Sequence, residues 1–439
     1  MEVLPYEVLY EIFTYIPVCE LYFTLGRVCT VWKDVVMDRR LWRGRPYRPT
    51  ECTTDEEIVH LLSTVTMLEI FDASEHTIGP QVFGALSMSS CNLTVILLSP
   101  DQALDQSDLE KLLMIRNLQN LSLHISDDET AKNNFKILGG FHSLKKLSVT
   151  GVFSYRCGVL MALATGCKCL QELNLGCLSC DGVTSAIDIA AILKLKGAQL
   201  ISLTFTCSLL SHFVTDLIGQ CAELQELHMN IYQSWVFVDF SPLLALKNLK
   251  AFSVIGCVDI NPSLDNLFSQ QQWSNLECLN ISVSEGNVIN IMFGNCPKLR
   301  ILRIEGNQEV NFVMENIYKL SNLEELTLAY WTSPIDEMLK YVSQLKILKN
   351  LCFENCSELR DVDILDLVLC HSLKAITLDK CRGILGRNFH HIADELEHLT
   401  SLTFIECDNL RTFHVTQLQK LFPYLKINFD GNKAQMLNY

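Results

Sequence analysis

No stretch of this 439-residue chain stays apolar for anything near the roughly 20 residues a membrane-crossing helix needs, so no membrane partner is expected. Lysine and arginine never run more than two in a row, so no nuclear signal or anionic-lipid patch is expected. They are also the minority charge: 35 of them face 50 aspartates and glutamates, for a net charge of −15. A general nucleic-acid binder needs a basic face, so nucleic acid is not expected as a partner. Catalytic signatures are missing too. No GxSxG, GxGxxG, P-loop or HExxH occurs, and the sequence points to neither an enzyme nor a cofactor. The start is acidic and enters an amphipathic helix directly, which is not how a signal peptide is built.

Cysteine is present in quantity, but the 19 residues are dilute and odd in number, which argues against a secreted disulfide scaffold. Asn-x-Ser/Thr sequons at Asn92, Asn120, Asn280 and Asn355 lie at or beside expected strands rather than on open loops, so glycosylation is not expected. A reducing cytoplasmic or nuclear compartment fits this usage.

What is present is a rhythm. "NLQNLSL" holds Leu118, Leu121 and Leu123; "SLKKLSV" holds Leu144, Leu147 and Val149; "CLQELNL" holds Leu170, Leu173 and Leu175. LxxLxL returns at Leu200, Leu224, Leu249, Leu276, Leu299, Leu323, Leu348, Leu373 and Leu399, with weaker copies from Val65, Leu93 and Phe422. Neighbouring copies start 23 to 30 residues apart, mostly 24 to 26, which is the leucine-rich-repeat period. The alternating leucines predict a short strand with its apolar face inward. Segments between strands, at 107–116, 334–345 and 387–399, read as helices. In the second, Ile335, Met338, Leu339, Val342 and Leu345 recur at helical spacing, while Asp108 and Pro334 mark helix starts. One strand and one helix cannot bury both apolar faces alone, but stacked copies share a core. The expected fold is therefore an α/β solenoid, a leucine-rich-repeat horseshoe with parallel strands on its concave face.

The cysteines fall on this frame. Cys167, Cys221, Cys296 and Cys370 stand three residues before a first leucine; Cys257, Cys356, Cys381 and Cys407 stand eight after one, where Asn307 also sits. A small side chain there would lie under the strand exit and partner buried backbone groups. The pattern resembles the cysteine-containing subclass of leucine-rich repeats, from which Ser126, Val152, Tyr232 and Trp331 depart. The cluster Cys167, Cys169, Cys177 and Cys180 contains a single CxxC and reads as structural rather than as a zinc site, and no metal is expected. His390 and His391 are adjacent and point to different sides of a helix, which is not a ligand pair.

Residues 1–43 have another character. Leu4, Val8, Ile12, Phe13 and Ile16 recur at steps of three and four, with Pro5 in the first turn and Pro17 as a stop. Short helices follow with Leu21 and Leu25, then Trp32, Val35 and Val36, then Leu41 and Trp42. About 45 residues barely bury a core of their own, so apolar surface should remain exposed to dock a partner.

The series LPxEVLxxIFxYIP, then the RVCxxW and LWR elements, resembles an F-box. The matching positions are Leu4, Pro5, Glu7, Val8, Leu9, Ile12, Phe13, Ile16, Pro17, Leu21, Val28, Cys29, Trp32, Leu41 and Trp42. With the repeats, nearly the whole chain resembles the F-box/leucine-rich-repeat substrate receptors of SCF-type ubiquitin ligases. The resemblance implies an F-box over 1–48 that binds the Skp adaptor and, through it, a cullin-RING core. A connecting segment and repeat cap would span 49–64, about fifteen substrate-binding repeats 65–430, and a short tail 431–439, expected to be disordered. Adaptor contacts are expected at Leu4, Pro5, Val8, Leu9, Ile12, Phe13, Leu21, Val28, Cys29, Trp32, Leu41 and Trp42, best of all at Leu4, Pro5 and the Leu9–Ile12–Phe13 edge. The role implied is a non-catalytic receptor; a leucine-rich binder or inhibitor acting outside any ligase is the alternative.

Substrate contacts are expected on outward strand positions, two, four and six residues after each first leucine. Glu69, Glu172, Glu226, Glu305, Glu325, Glu354 and Asp379 stand there against Lys146, Arg303 and Lys426. Three basic residues so far apart do not make the inositol-phosphate pocket of the plant hormone receptors of this class. Glu172, Asn174, Thr204, Glu226 and Asn230 are the substrate-contact candidates, on a surface suited to a basic or neutral protein.

Overall fold

The computed structural model describes residues 4–89, 92–125, 131–151, 160–176, 186–207, 210–231, 238–256, 261–270, 273–282, 292–306, 316–331 and 335–430. The chain divides into two compact units, Met1–Thr206 and Cys207–Tyr439.

The first unit opens on short helices: α1 (Tyr6–Thr14), α2 (Val18–Phe23), α3 (Thr30–Val36) and α4 (Arg39–Trp42). Pro5 and Pro17 stand just before α1 and α2, where a missing N–H costs nothing. Leu9, Phe13, Leu21, Val35, Leu41 and Trp42 form the core of this region. The Trp42 indole N–H donates to the Val36 carbonyl at 2.7 Å, so the largest core ring keeps its polar atom satisfied. Phe13 meets Trp32 edge to face, 5.3 Å between centroids. Asp38 caps α4 by accepting from the Arg40 backbone N–H, and also takes the Tyr6 hydroxyl at 2.7 Å and the Arg40 guanidinium at 2.5 Å. The Arg40 hydrogen bonds, helped by that of Tyr6, hold the Asp38 carboxyl well below the usual carboxylate range. Arg45 donates to the Phe13, Leu41 and Ile16 carbonyls, closing the C-terminal end of α1.

The helices pass into the repeats without a break. Helix α5 (Asp55–Thr64) starts with a capping box between Thr54 and Glu57 and buries Ile58, Leu61 and Leu62. Strand β1 (Pro46–Tyr47) pairs with β2 (Ile70–Ala73), and the Arg48 Nε donates to Asp72 at 2.7 Å. Burial alone would raise the Asp72 pKa, but the Ser74 hydroxyl and Arg48 outweigh it and hold the carboxyl low.

Strands β3 (Val95–Leu98), β4 (Asn120–Ile125), β5 (Lys146–Gly151), β6 (Glu172–Gly176) and β7 (Ser202–Cys207) continue the first unit's sheet, each parallel to the one before. The second unit holds β8 (Glu226–Ile231), β9 (Ala251–Ile255), β10 (Cys278–Ser282), β11 (Ile301–Glu305) and β12 (Glu325–Ala329). It ends with β13 (Asn350–Glu354), β14 (Ala375–Asp379), β15 (Ser401–Ile405) and β16 (Lys426–Asp430), parallel throughout. This is the leucine-rich-repeat solenoid that the period predicts. In β4 the burial alternates residue by residue, with Leu121, Leu123 and Ile125 inward.

Between strands the expected helices form, somewhat displaced. The first runs Gln106–Leu113 and is capped by Asp105, three residues before the Asp108 expected to mark its start. The others span Ile335–Val342 and Phe389–Glu395, with Leu339, Val342 and Leu345 buried. Several repeats substitute a tighter 3₁₀ turn, as at Ser241–Ala245 and Asp363–Leu369.

Two registers differ from expectation. The pairing of Ile70 with Val95 makes Leu68 the first residue of its repeat, not Val65. A three-residue shift is odd, so it exchanges the faces of the strand. Glu69 therefore leaves the outward strand face and instead accepts the Gly44 backbone N–H at 3.2 Å, while Asp72 takes an outward position. At the other end the register starts two residues later than expected, from Tyr424 rather than Phe422, and an even shift leaves Lys426 outward.

At the strand exits the cysteine reading becomes concrete. Tyr330, Asn355, Lys380 and Glu406, each seven residues after a first leucine, all take the left-handed conformation with φ between 46° and 57°. The thiols that follow point back under the preceding repeat. Cys356 donates to the Leu328 carbonyl at 3.4 Å, Cys381 to Phe353 at 3.5 Å and Cys407 to Leu378 at 3.3 Å. Cys167 likewise donates to Leu138 at 3.2 Å. Asparagines just before first leucines stitch neighbours in the same way: Asn248 to the Ala222 carbonyl, Asn275 to Lys247 and Asn322 to Pro297. Cys257, Asn307, Cys177, Cys180, Ser126, Val152, Tyr232 and Pro334 lie outside the described residues, as does the 431–439 tail.

Candidate functional site

Helix α1 separates its apolar residues onto two sides. Leu9 and Phe13, four apart, are buried at 2% and 1%, whereas Val8 and Ile12, each one residue earlier, remain 42% and 44% exposed. Leu4 before the helix and Tyr15 after it lie on the exposed side at 48% and 81%. Val28 and Val31, one helical turn apart around the start of α3, are also exposed, beside Cys29. These residues leave an apolar stripe in water along one side of a small helical region.

The twelve adaptor candidates thus divide. Leu4, Pro5, Val8, Ile12, Val28 and Cys29 are exposed, and Trp32 is half-buried against Phe13. Leu9, Phe13, Leu21, Leu41 and Trp42 are interior in this chain. All five are among the expected contacts; in this chain they are enclosed by the packing of the N-terminal helices. The Leu9–Ile12–Phe13 edge is not one edge: only Ile12 faces out. Tyr15 and Val31 are exposed as well without being among the twelve, and steps of four and three from Val8 through Ile12 place Tyr15 on the same stripe. Tyr6 is exposed too, but its hydroxyl is committed to Asp38.

The outward strand positions differ from the bare acidic surface the sequence suggests. In the first unit Lys146 and Glu172 are direct cross-strand partners with a 2.8 Å ion pair. Ser148, Asn174 and Thr204 stand side by side in register on β5, β6 and β7, next to that pair. The Asn174 side-chain oxygen is buried with no hydrogen-bond partner among the described residues. In the second unit Glu226 and Asn230 lie on β8, two positions on either side of His228. Burial pushes His228 below its ordinary value, against the pull of Glu226. Further along, Arg303 on β11 bonds both Glu305 at 3.0 Å and Glu354 at 2.5 Å, reaching past β12 to β13. Asp379 lies within 4.0 Å of the Lys380 ammonium. Much of the outward acidity is therefore answered within each sheet.

Among the described residues no cluster of histidine, cysteine, aspartate or glutamate could hold a metal ion, and no helix is long and apolar enough to cross a membrane. Cys167 is buried and Cys169 exposed, so these two members of the cysteine cluster face different surroundings. Burial pushes the thiols of Cys167, Cys296 and Cys370 up to about 12, which keeps them protonated and unreactive.

A chain in the crystal structure of the Rad7 and Elc1 complex in yeast is similar over 98% of this chain and 91% of its own length, at 17% identity and a TM-score of 0.43. The N-terminal region carries the family likeness: residues 1–45, which hold the exposed stripe and the core beneath it, match the F-box-like family.

Proposed function

We propose that this chain is the substrate-recognition subunit of an SCF-type cullin-RING ubiquitin ligase. In this reading residues 1–48 bind the Skp adaptor, and the repeats over 65–430 hold a protein substrate for modification by a catalytic subunit elsewhere. The gain supplied is proximity: the substrate is held near a charged enzyme, and no bond is made or broken on this chain. The carrying observation is the exposed stripe of Leu4, Val8, Ile12 and Tyr15, held outward by a core that faces the other way. It coincides with the F-box-like match.

Substrate contacts are proposed on the outward strand positions, with Glu172, Asn174 and Thr204 in the first unit and Glu226 and Asn230 in the second. The small polar side chains there favour hydrogen bonding over apolar anchoring, and the residual acidity suits a basic or neutral partner.

The test is Val8→Asp with Ile12→Asp, co-expressed with the adaptor and a cullin. Both positions are exposed, so the variant should melt within about 2 °C of the wild type. Charges placed in a desolvated apolar interface should weaken adaptor capture by about a hundredfold or more. A folded variant that still co-purifies with adaptor and cullin at wild-type levels would overturn the reading.

A further inference from the structure

On the helical side of the last repeats, away from any strand face, the helices Phe389–Glu395 and Thr412–Leu421 border an open surface cleft of about 230 Å3, with Arg387, His390, Gln417 and Leu421 at its exposed rim. Arg387, His390, His414 and Gln417 supply its polar lining, and Leu418 and Leu421 its apolar lining. No carboxylate lines it, in a chain whose net charge is −15. Each polar group has capacity to spare. The Arg387 side chain makes no ion pair or hydrogen bond among the described residues. The His414 Nδ1 is buried without a partner there, although an imidazole nitrogen removed from water ordinarily finds one. The His390 ring centroid lies 4.0 Å from that of His391, the two rings tilted by 39°.

The cleft is also built, not incidental. Asp361 reaches from the preceding repeat and accepts the backbone N–H groups of Leu385, Gly386 and Arg387 at 3.0 to 3.2 Å, fixing the loop that presents Arg387. Both Asp361 oxygens are thereby committed to the backbone. Asn388 returns a hydrogen bond to the Asp361 carbonyl at 2.9 Å. Gly386 sits at φ 90°, and a Cβ there would fall 2.5 Å from Leu410 Cδ1 and 3.0 Å from His414 Cβ. Only glycine lets this loop lie against the helix that carries His414.

We propose that this cleft binds a phosphoryl group. A guanidinium, two imidazoles and a carboxamide around one space offer more donors than the two oxygens of a carboxylate can use, but match the three terminal oxygens of a phosphate. The leucines suit the short carbon stem of a phosphomonoester. Free phosphate and a phosphorylated side chain share this chemistry, and the stem distinguishes them.

The experiment is calorimetric titration of the full-length protein at low salt with inorganic phosphate, O-phosphoserine and acetate. Phosphate should saturate a single site, and Arg387→Gln, at an exposed position, should weaken it about tenfold with an unchanged melting temperature. His414→Gln should weaken it as well; if that variant fails to fold, Arg387→Gln alone decides. Tighter binding of O-phosphoserine than of phosphate assigns the site to a phosphorylated chain, and the reverse order assigns it to the free ion. Absence of saturation, indifference to Arg387→Gln, or acetate binding as tightly as phosphate would each overturn the proposal.

Discussion

The helices before the repeats and the repeats themselves treat apolar residues in opposite ways. In the repeats most strand leucines turn inward; Leu121, Leu147 and Leu203 are fully buried, and outward positions such as Ser148, Asn174 and Thr204 are polar, with apolar exceptions at Leu97 and Ile301. In the N-terminal helices the outward side keeps Val8, Ile12, Tyr15 and Val28 in water while Leu9 and Phe13 hold the inside. A stacked repeat has neighbours on two sides to cover it. A small helical region has one, and its remaining apolar side is free for another molecule.

Truncation tests that contrast most sharply. Leu203→Ala opens a cavity in the middle of a stack and should cost about 3 kcal/mol, whereas Val8→Ala removes a side chain from water and should cost less than about 0.5 kcal/mol. Chemical denaturation of both variants measures the difference, and comparable losses would mean that the helical stripe is part of the core.

A smaller effect is expected on the polar surface. Arg303, three-quarters buried at its side chain, joins Glu305 and Glu354 across β11 to β13. Arg303→Met leaves two carboxylates facing each other and should cost about 1–3 kcal/mol, of which Glu354→Gln in the same chain should restore part. A neutral result for Arg303→Met would make these charges a solubilising surface only.

The smallest effect lies where the regions meet. The Asp72 carboxyl, held low against burial by Ser74 and Arg48, binds its proton less readily folded than unfolded. Its contribution is therefore complete above the ordinary carboxylate pKa of about 4 and is lost as pH falls through the lower folded value. Asp72→Asn should flatten the loss of stability as the pH falls below about 4, measured by urea unfolding at each pH. Identical pH profiles would show that Arg48 and Asp72 do not couple the helices to the first repeat.

The period of the repeat was legible because each copy states it again, and a local slip cannot hide among so many. The slip that exchanged the faces of a strand had a local cause. "VTMLEIF" offers Val65 and Leu68 as equally apolar starts, both wholly buried, and only the pairing of Ile70 with Val95 chooses between them. The same limit applied to α1. Leu9 and Val8 differ by one residue, about 100° around a helix, and the partners that decide which turns inward, α3 and α4, lie far along the chain. Arg303 and Glu354 stand 51 positions apart, so their pairing belongs to the stacked sheet and not to either repeat's own pattern.

The thiol contacts at the strand exits also say where this chain can be divided. Each donor sits in one repeat and its acceptor in the repeat before: Cys381 needs the Phe353 carbonyl, and Cys407 needs that of Leu378. The joint is a dovetail, cut half into each neighbour. A segment transplanted from one first leucine to the next would carry its thiol but arrive without the carbonyl that receives it, and would leave its own carbonyl uncovered behind it. Successful exchange between related solenoids would therefore move at least two adjacent repeats together, or match the residue at the cysteine position on both sides of the junction.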